Sequence, residues 1–173
     1  VGGKCVGAFP GSAYICAKKA VLDALTPEQC KNVYLSLYKH YASARAARQT
    51  PNTPNVNLFW PLNTALGNIM EETLEACARI IRQGLTDLGM RLLLSEHMSN
   101  TVTSVFLPEG IAAPAFLKEM EARGYIFYIG KGDYAAQNLI QVANMGEIYP
   151  QDCENMLRVM EECLRTMGRK QAS

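Results

Sequence analysis

The chain has 173 residues, of which 49% are hydrophobic and 19% charged, and its net charge is +1. A chain of this length buries roughly two-thirds of its unfolded surface and makes one domain, or one small domain beside a piece of another. The balanced charge excludes a polyanion-binding face and bulk disorder, so no nucleic-acid partner is expected, and apolar runs as short as "YIFYIG" and "TSVFLP" fall far below the roughly 20 residues of a membrane span.

In chain order the first feature is "VGGKCVGAFPG", in which Lys4 sits among glycines. No signal peptide or initiator Met opens the chain, and Val1 followed by two glycines reads as a cut boundary with a segment expected upstream. "GSAYICAKK" (Gly11 to Lys19) has an apolar centre between Pro-Gly and a Lys pair, the pattern of a buried strand that passes into a helical turn at "AVLDAL". "NVYLSLYKHYASARAA" (Asn32 to Ala47) runs into Ala-rich helix formers and predicts a helix. "RQTPNTPNVN" (Arg48 to Asn57) packs two prolines and three asparagines together and predicts a loop between two halves, residues 1–57 and 58–173.

Beyond it, Leu58 to Met90 predicts two helices with a break near "MEET". The second carries Leu74, Cys77, Ile81, Leu85 and Leu88 at helical spacing and ends at Gly89. "RLLLS" and "TVTSVFLP" predict strands. "APAFLKEMEARG" predicts a helix with Pro114 in its first turn and Gly124 at its end, and "YIFYIG" and "NLIQVANMG" predict two more strands. Last, Pro150 to Gly168 opens with a proline and acids and lays Cys153, Met156, Leu157, Met160, Leu164 and Met167 along one face of a helix. From Met90 the order is strand, strand, helix, strand, strand, helix, an α+β layer with a small antiparallel sheet covered on one face by helices.

Six cysteines (Cys5, Cys16, Cys30, Cys77, Cys153 and Cys163) are scattered without a C-x-x-C pair, which predicts reduced, mostly packed thiols, a reducing compartment and hence a cytoplasmic protein. His40 and His97 are the only histidines, lie in polar or helix-like sequence, and predict neither a metal site nor a His-based hydrolase.

Three readings of Lys4 compete. A phosphate-cradling loop would need G-x-x-x-x-G-K-S/T, whereas Cys5 follows Lys4 and the first glycine has no room. The other two are an ordinary solvated lysine and a Schiff-base amine on a constricted backbone, where flanking glycines permit close approach to a flat cofactor. Spacing alone does not choose between them.

Six segments in unbroken order do bear on it. "GGKCVGAFPGSAYICAKKAVL", "NVYLSLYKHY", "QTPNTPNV", "SNTVTSVFLP", "EARGYIFYIGK" and "IQVANMGEIYPQD" resemble class V (fold type I) pyridoxal-phosphate-dependent aminotransferases, closest to the branch acting on 2-aminoethylphosphonate and pyruvate. The likeness runs from Lys4 to about Leu164. It implies the C-terminal part of such an enzyme: a remnant of the α/β cofactor-binding large domain with a connecting helix and loop (1–57), then the small α+β domain (58–173). By resemblance Lys4 holds pyridoxal 5'-phosphate and shuttles the reaction's proton. Thr50, or Thr53 in a shifted register, would donate to the cofactor phosphate of a neighbouring subunit. The substrates would be a small amine and a 2-oxo acid, and the assembly a homodimer.

Two departures stand against that picture. Where the family's "FRIGNIG" carries a carboxylate-binding arginine, this chain has Gln141, which keeps hydrogen bonding but loses charge. The matching segments also omit the family's aspartate for the pyridine nitrogen and its stacking aromatic, and Asp23, Asp87, Asp133 and Asp152 all match other parts of the family. A truncated, non-catalytic remnant that serves as a dimerising or binding module is therefore the alternative expectation.

Overall fold

The computed structural model describes residues 6–11 and 13–171, the side chains of 169–171 excepted. Two compact units divide after Gly67, so the helix beyond the Pro-rich loop belongs with the first unit and the division falls later than the loop chemistry placed it.

The first unit, residues 8–67, holds a short helix α1 (Lys19–Asp23), a 3-10 turn (Pro27–Gln29), α2 (Leu37–Ala47) and α3 (Val56–Gly67). The strand expected at 11–19 does not form: the described residues 13–18 are irregular and exposed. A strand needs a neighbour for its backbone N–H and C=O groups, and no described strand lies in this unit to pair with it. The helix expected from Asn32 starts only at Leu37. Asn32 Oδ1 accepts from the N–H groups of Tyr34 (2.9 Å) and Leu35 (2.8 Å), which folds 32–35 into a turn, and Ser36 Oγ then caps α2 by accepting from Lys39 N (3.2 Å). Asp23 ties α1 to α2: its Oδ1 accepts from Tyr41 Oη (2.6 Å) and Arg45 Nη1 (2.8 Å), and its other oxygen pairs with Lys19. These bonds, that of Lys19 first and that of Tyr41 second, hold the Asp23 carboxyl below the usual carboxylate range.

The second unit, described here over residues 68–171, is the expected layer. Its order is α4 (Glu71–Asp87), β1 (Arg91–Leu92), β2 (Val102–Phe106), α5 (Ala113–Glu121), β3 (Tyr128–Ile129), α6 (Asp133–Ala136), β4 (Leu139–Ala143) and α7 (Pro150–Gln171). The sheet is fully antiparallel in the order β1-β2-β4-β3. One face is packed under α4, α5 and α7 and the alternation of burial along the strands follows from that. Thr103 and Val105 on β2, and Ile140 and Val142 on β4, are buried towards the helices, while Ser104 and Gln141 point the other way and stay half-exposed.

The periodic positions read from the sequence are the ones that pack. Cys77, Ile81 and Leu85 of α4 meet Phe116 and Met120 of α5 and Cys153, Met156, Met160 and Cys163 of α7 in one core. Glu71 and Glu72 occupy the first turn of α4, where a carboxylate offsets the N-terminal partial charge, and Gly89 (φ 79°) turns the chain out of the helix into β1. A second glycine does a different job: a Cβ on Gly84 would collide with the Leu157 methyls, so Leu157 keeps its place against α4 only because that side chain is a hydrogen. Helix α6 was not legible in the pattern, and β1 and β3 are shorter than their apolar runs.

Candidate functional site

Lys4 lies outside the described residues. Thr50 and Thr53 lie in the loop between α2 and α3, both exposed, and the Thr50 hydroxyl donates to the Asn52 carbonyl at 2.7 Å. That bond makes a local turn.

Gln141 is centred in β4, directly opposite Ser104 on β2 and Tyr128 on β3. Its Nε2 reaches Ser104 Oγ at 3.4 Å, a long and weak hydrogen bond, and the Tyr128 side chain is exposed. This row of amide, hydroxyl and phenol can orient a polar group but supplies no charge. The cation of the same sheet face is Arg91, opposite Phe106 in the ladder, with its guanidinium 3.9 Å from the Phe106 ring centroid. Ser104, Tyr128 and Arg91 were not singled out by their sequence; only the strand register reveals that they share a face with Gln141.

The aspartates are committed elsewhere. Asp23 serves α1 and α2 as above, Asp87 accepts from Gln83 Nε2 (2.8 Å), Asp152 accepts from Tyr149 N–H (2.9 Å) at the start of α7, and Asp133 opens α6 as an exposed residue. No described aspartate therefore stands ready against a pyridine nitrogen. The described residues, taken alone, do not fit pyridoxal phosphate.

Among the described cysteines, Cys77, Cys153 and Cys163 are buried as expected, but Cys16 is exposed and Cys30 only half-buried. Burial, then the hydrogen bond with Cys77, pushes the Cys153 thiol up to about 12. Cys30 shifts the other way: the Ser36 hydroxyl first, then the Tyr38 N–H at the start of α2, hold its thiol below the usual cysteine range. Among the described residues no three His, Cys, Asp or Glu side chains gather as a metal site, and no helix is long and apolar enough to cross a membrane.

No family model matches the chain. Similarity to individual proteins is extensive. An uncharacterized aminotransferase of Methanocaldococcus jannaschii is 31% identical, over 95% of this chain and 45% of its own length. The 2-aminoethylphosphonate–pyruvate transaminase of Cupriavidus necator is 27% identical over 97% of this chain and 47% of its own. In structure, the alanine–glyoxylate aminotransferase of Nostoc sp. superposes with a TM-score of 0.68 at 18% identity, covering 93% of this chain and 46% of that one. The fold is thus one shared with aminotransferases, the homologues are aminotransferases, and the chain spans about half the length of the curated relatives it matches.

Proposed function

We propose, from a chain homologous to aminotransferases, that it is the C-terminal part of a pyridoxal-phosphate-dependent enzyme. The enzyme would move an amino group from a small amine such as 2-aminoethylphosphonate to a 2-oxo acid such as pyruvate. The observation that carries this reading is the extent of the likeness: one aminotransferase is 31% identical across 95% of this chain.

In this reading Lys4 is the amine that holds the cofactor, Thr50 or Thr53 reaches a cofactor phosphate across a homodimer boundary, and Gln141 meets the substrate. The cofactor supplies the electron sink that makes the substrate's C–H bond acidic. Its remaining contacts, the pyridine-nitrogen carboxylate above all, come from the portion of the relatives that this chain does not span. Gln141 holds its ligand by neutral hydrogen bonds, which are about half as strong as a guanidinium–carboxylate fork. The protein therefore favours substrates less dependent on a carboxylate anchor.

A second reading is favoured by the exposed apolar side chains of the first unit, Val33, Leu35, Phe59 and Trp60 among them, together with the uncharged Gln141: a non-catalytic, dimerising or binding module. Turnover separates the two. Fused to the portion of an aminotransferase relative that it does not span, and supplied with pyridoxal phosphate, 2-aminoethylphosphonate and pyruvate, the protein is expected to form alanine at a rate that Lys4→Ala abolishes. Formation no faster than in Lys4→Ala leaves the non-catalytic module as the correct reading.

A further inference from the structure

On the outer side of α4 a groove of about 400 Å3 runs between the helix and the segment that follows β1, lined by Glu75, Arg79, Arg82, Gln83, Leu92 and Asn100 among others. That volume is at the small end for a metabolite pocket. Its helical wall is a single stripe, because positions 75, 79, 82, 83 and 86 recur at three- and four-residue steps along one face.

The opposite wall is fixed from beneath. Asn144 is buried, its Nδ2 donates to the Asn100 carbonyl (2.9 Å) and to the Leu74 carbonyl (3.3 Å), and its N–H donates to the Thr101 carbonyl (3.0 Å). From above, Arg82 Nη2 donates to the Ser99 carbonyl at 2.6 Å. The same guanidinium holds its Nε buried with no acceptor. A buried charged donor left unpaired is costly, and native structures rarely tolerate one without a partner. Arg79, one turn away on the same stripe, is exposed and has no ion pair among the described residues. Two guanidiniums stand against one carboxylate, Glu75, leaving the lining one positive charge in excess.

We propose that this groove binds a small oxyanion, the carboxylate or phosphate group of a metabolite-sized ligand, with the guanidiniums of Arg79 and Arg82 as its donors. Guanidiniums suit this role because their planar forks match both carboxylate and phosphate geometry. The site uses none of the residues assigned to amino transfer and stands or falls independently of that reading.

The experiment is a titration of the full chain followed by the 15N–1H resonance of the Arg82 Nε–H, identified by its loss in Arg82→Lys. Inorganic phosphate is added in one arm, acetate in a second, and chloride at matched ionic strength in a third. The expected result is a saturating shift with phosphate or acetate that chloride does not reproduce, and the arm that saturates names the ligand chemistry. Arg79→Gln, an exposed change that leaves the fold in place, is expected to weaken that binding at least about tenfold, as the loss of one charge-assisted contact does. A shift that chloride matches, that never saturates, or that Arg79→Gln leaves unchanged overturns the proposal. If Arg82→Lys does not fold, the Arg79→Gln comparison still decides, because it needs only a resonance that responds to phosphate or acetate.

Discussion

The two compact units are built from similarly apolar sequence, and only one of them closes a core. In the unit beginning at Asn68, apolar residues recur at helical spacing on α4, α5 and α7 and meet the buried face of the sheet. In the unit of residues 8–67, α1, α2 and α3 bury no residue, and Trp60 is 81% exposed. α3 is apolar on most sides, with Phe59 and Trp60 next to Pro61, and has no single polar face to turn to water. The lesson is that apolar content alone does not make a core: a stripe needs a second stripe to face it.

The sharpest way to break that contrast is a pair of truncations. Phe116→Ala removes a fully buried ring from the second unit and should cost about 3–5 kcal/mol, whereas Trp60→Ala should stay within about 0.5 kcal/mol as an exposed change. Urea denaturation of both variants reads the difference. Equal losses would show that Trp60 is buried in solution and that the first unit has found its cover.

Next in size is Gly84→Ala. On an exposed helix the change would gain up to about 1 kcal/mol in propensity, but the added methyl meets Leu157 and should cost about 1–3 kcal/mol net through overpacking of α4 on α7. A raised melting temperature would show that the two helices can part without loss.

A pH series sharpens the account of the second unit's interior. The Cys153 thiol titrates at about 12 in the folded chain, against about 8.5 for an ordinary cysteine. A raised folded value means that its contribution is fully present below about pH 8.5 and is lost as pH rises towards 12, since the unfolded chain gives up the proton first. Chemical denaturation from pH 8 upward should therefore show a steeper fall for the parent chain than for Cys153→Ala; parallel curves would contradict the buried thiol.

The smallest effect is kinetic. Cys30, in the first unit, should alkylate with a midpoint below that of an ordinary thiol, while Cys77, Cys153 and Cys163 stay unlabelled until the chain unfolds. Ser36→Ala should move the Cys30 midpoint upward by removing its largest stabilising contact. Peptide mass spectrometry across pH reads both, and an unchanged midpoint would assign the shift to the backbone of α2 instead.

Legibility in the sequence followed the same divide. The stripes of α4 and α7, the Pro114 start of α5 and the succession of strands and helices along the chain were readable because each residue's periodicity reflects a face it buries within this chain. The apolar centre at 13–18 misled because strand propensity says nothing about whether a pairing strand is present, and the turn at Asn32 misled because one side-chain acceptor outcompeted helix formation. Gly84, the Arg91–Phe106 stack and the Ser104–Gln141–Tyr128 row depend on which residues lie opposite one another, which a single sequence does not carry. Of the candidate site, Gln141 was placed on its strand by the sequence pattern and singled out by resemblance, whereas its partners came only with the register.

The central claim is that Lys4 is the cofactor lysine of an aminotransferase. Fused to the portion of an aminotransferase relative that it does not span, the chain should be incubated with pyridoxal phosphate, reduced with borohydride, digested, and its labelled peptides quantified. The account predicts label concentrated on Lys4, well above Lys18, Lys19 and Lys131. Label spread evenly over those four lysines would contradict it.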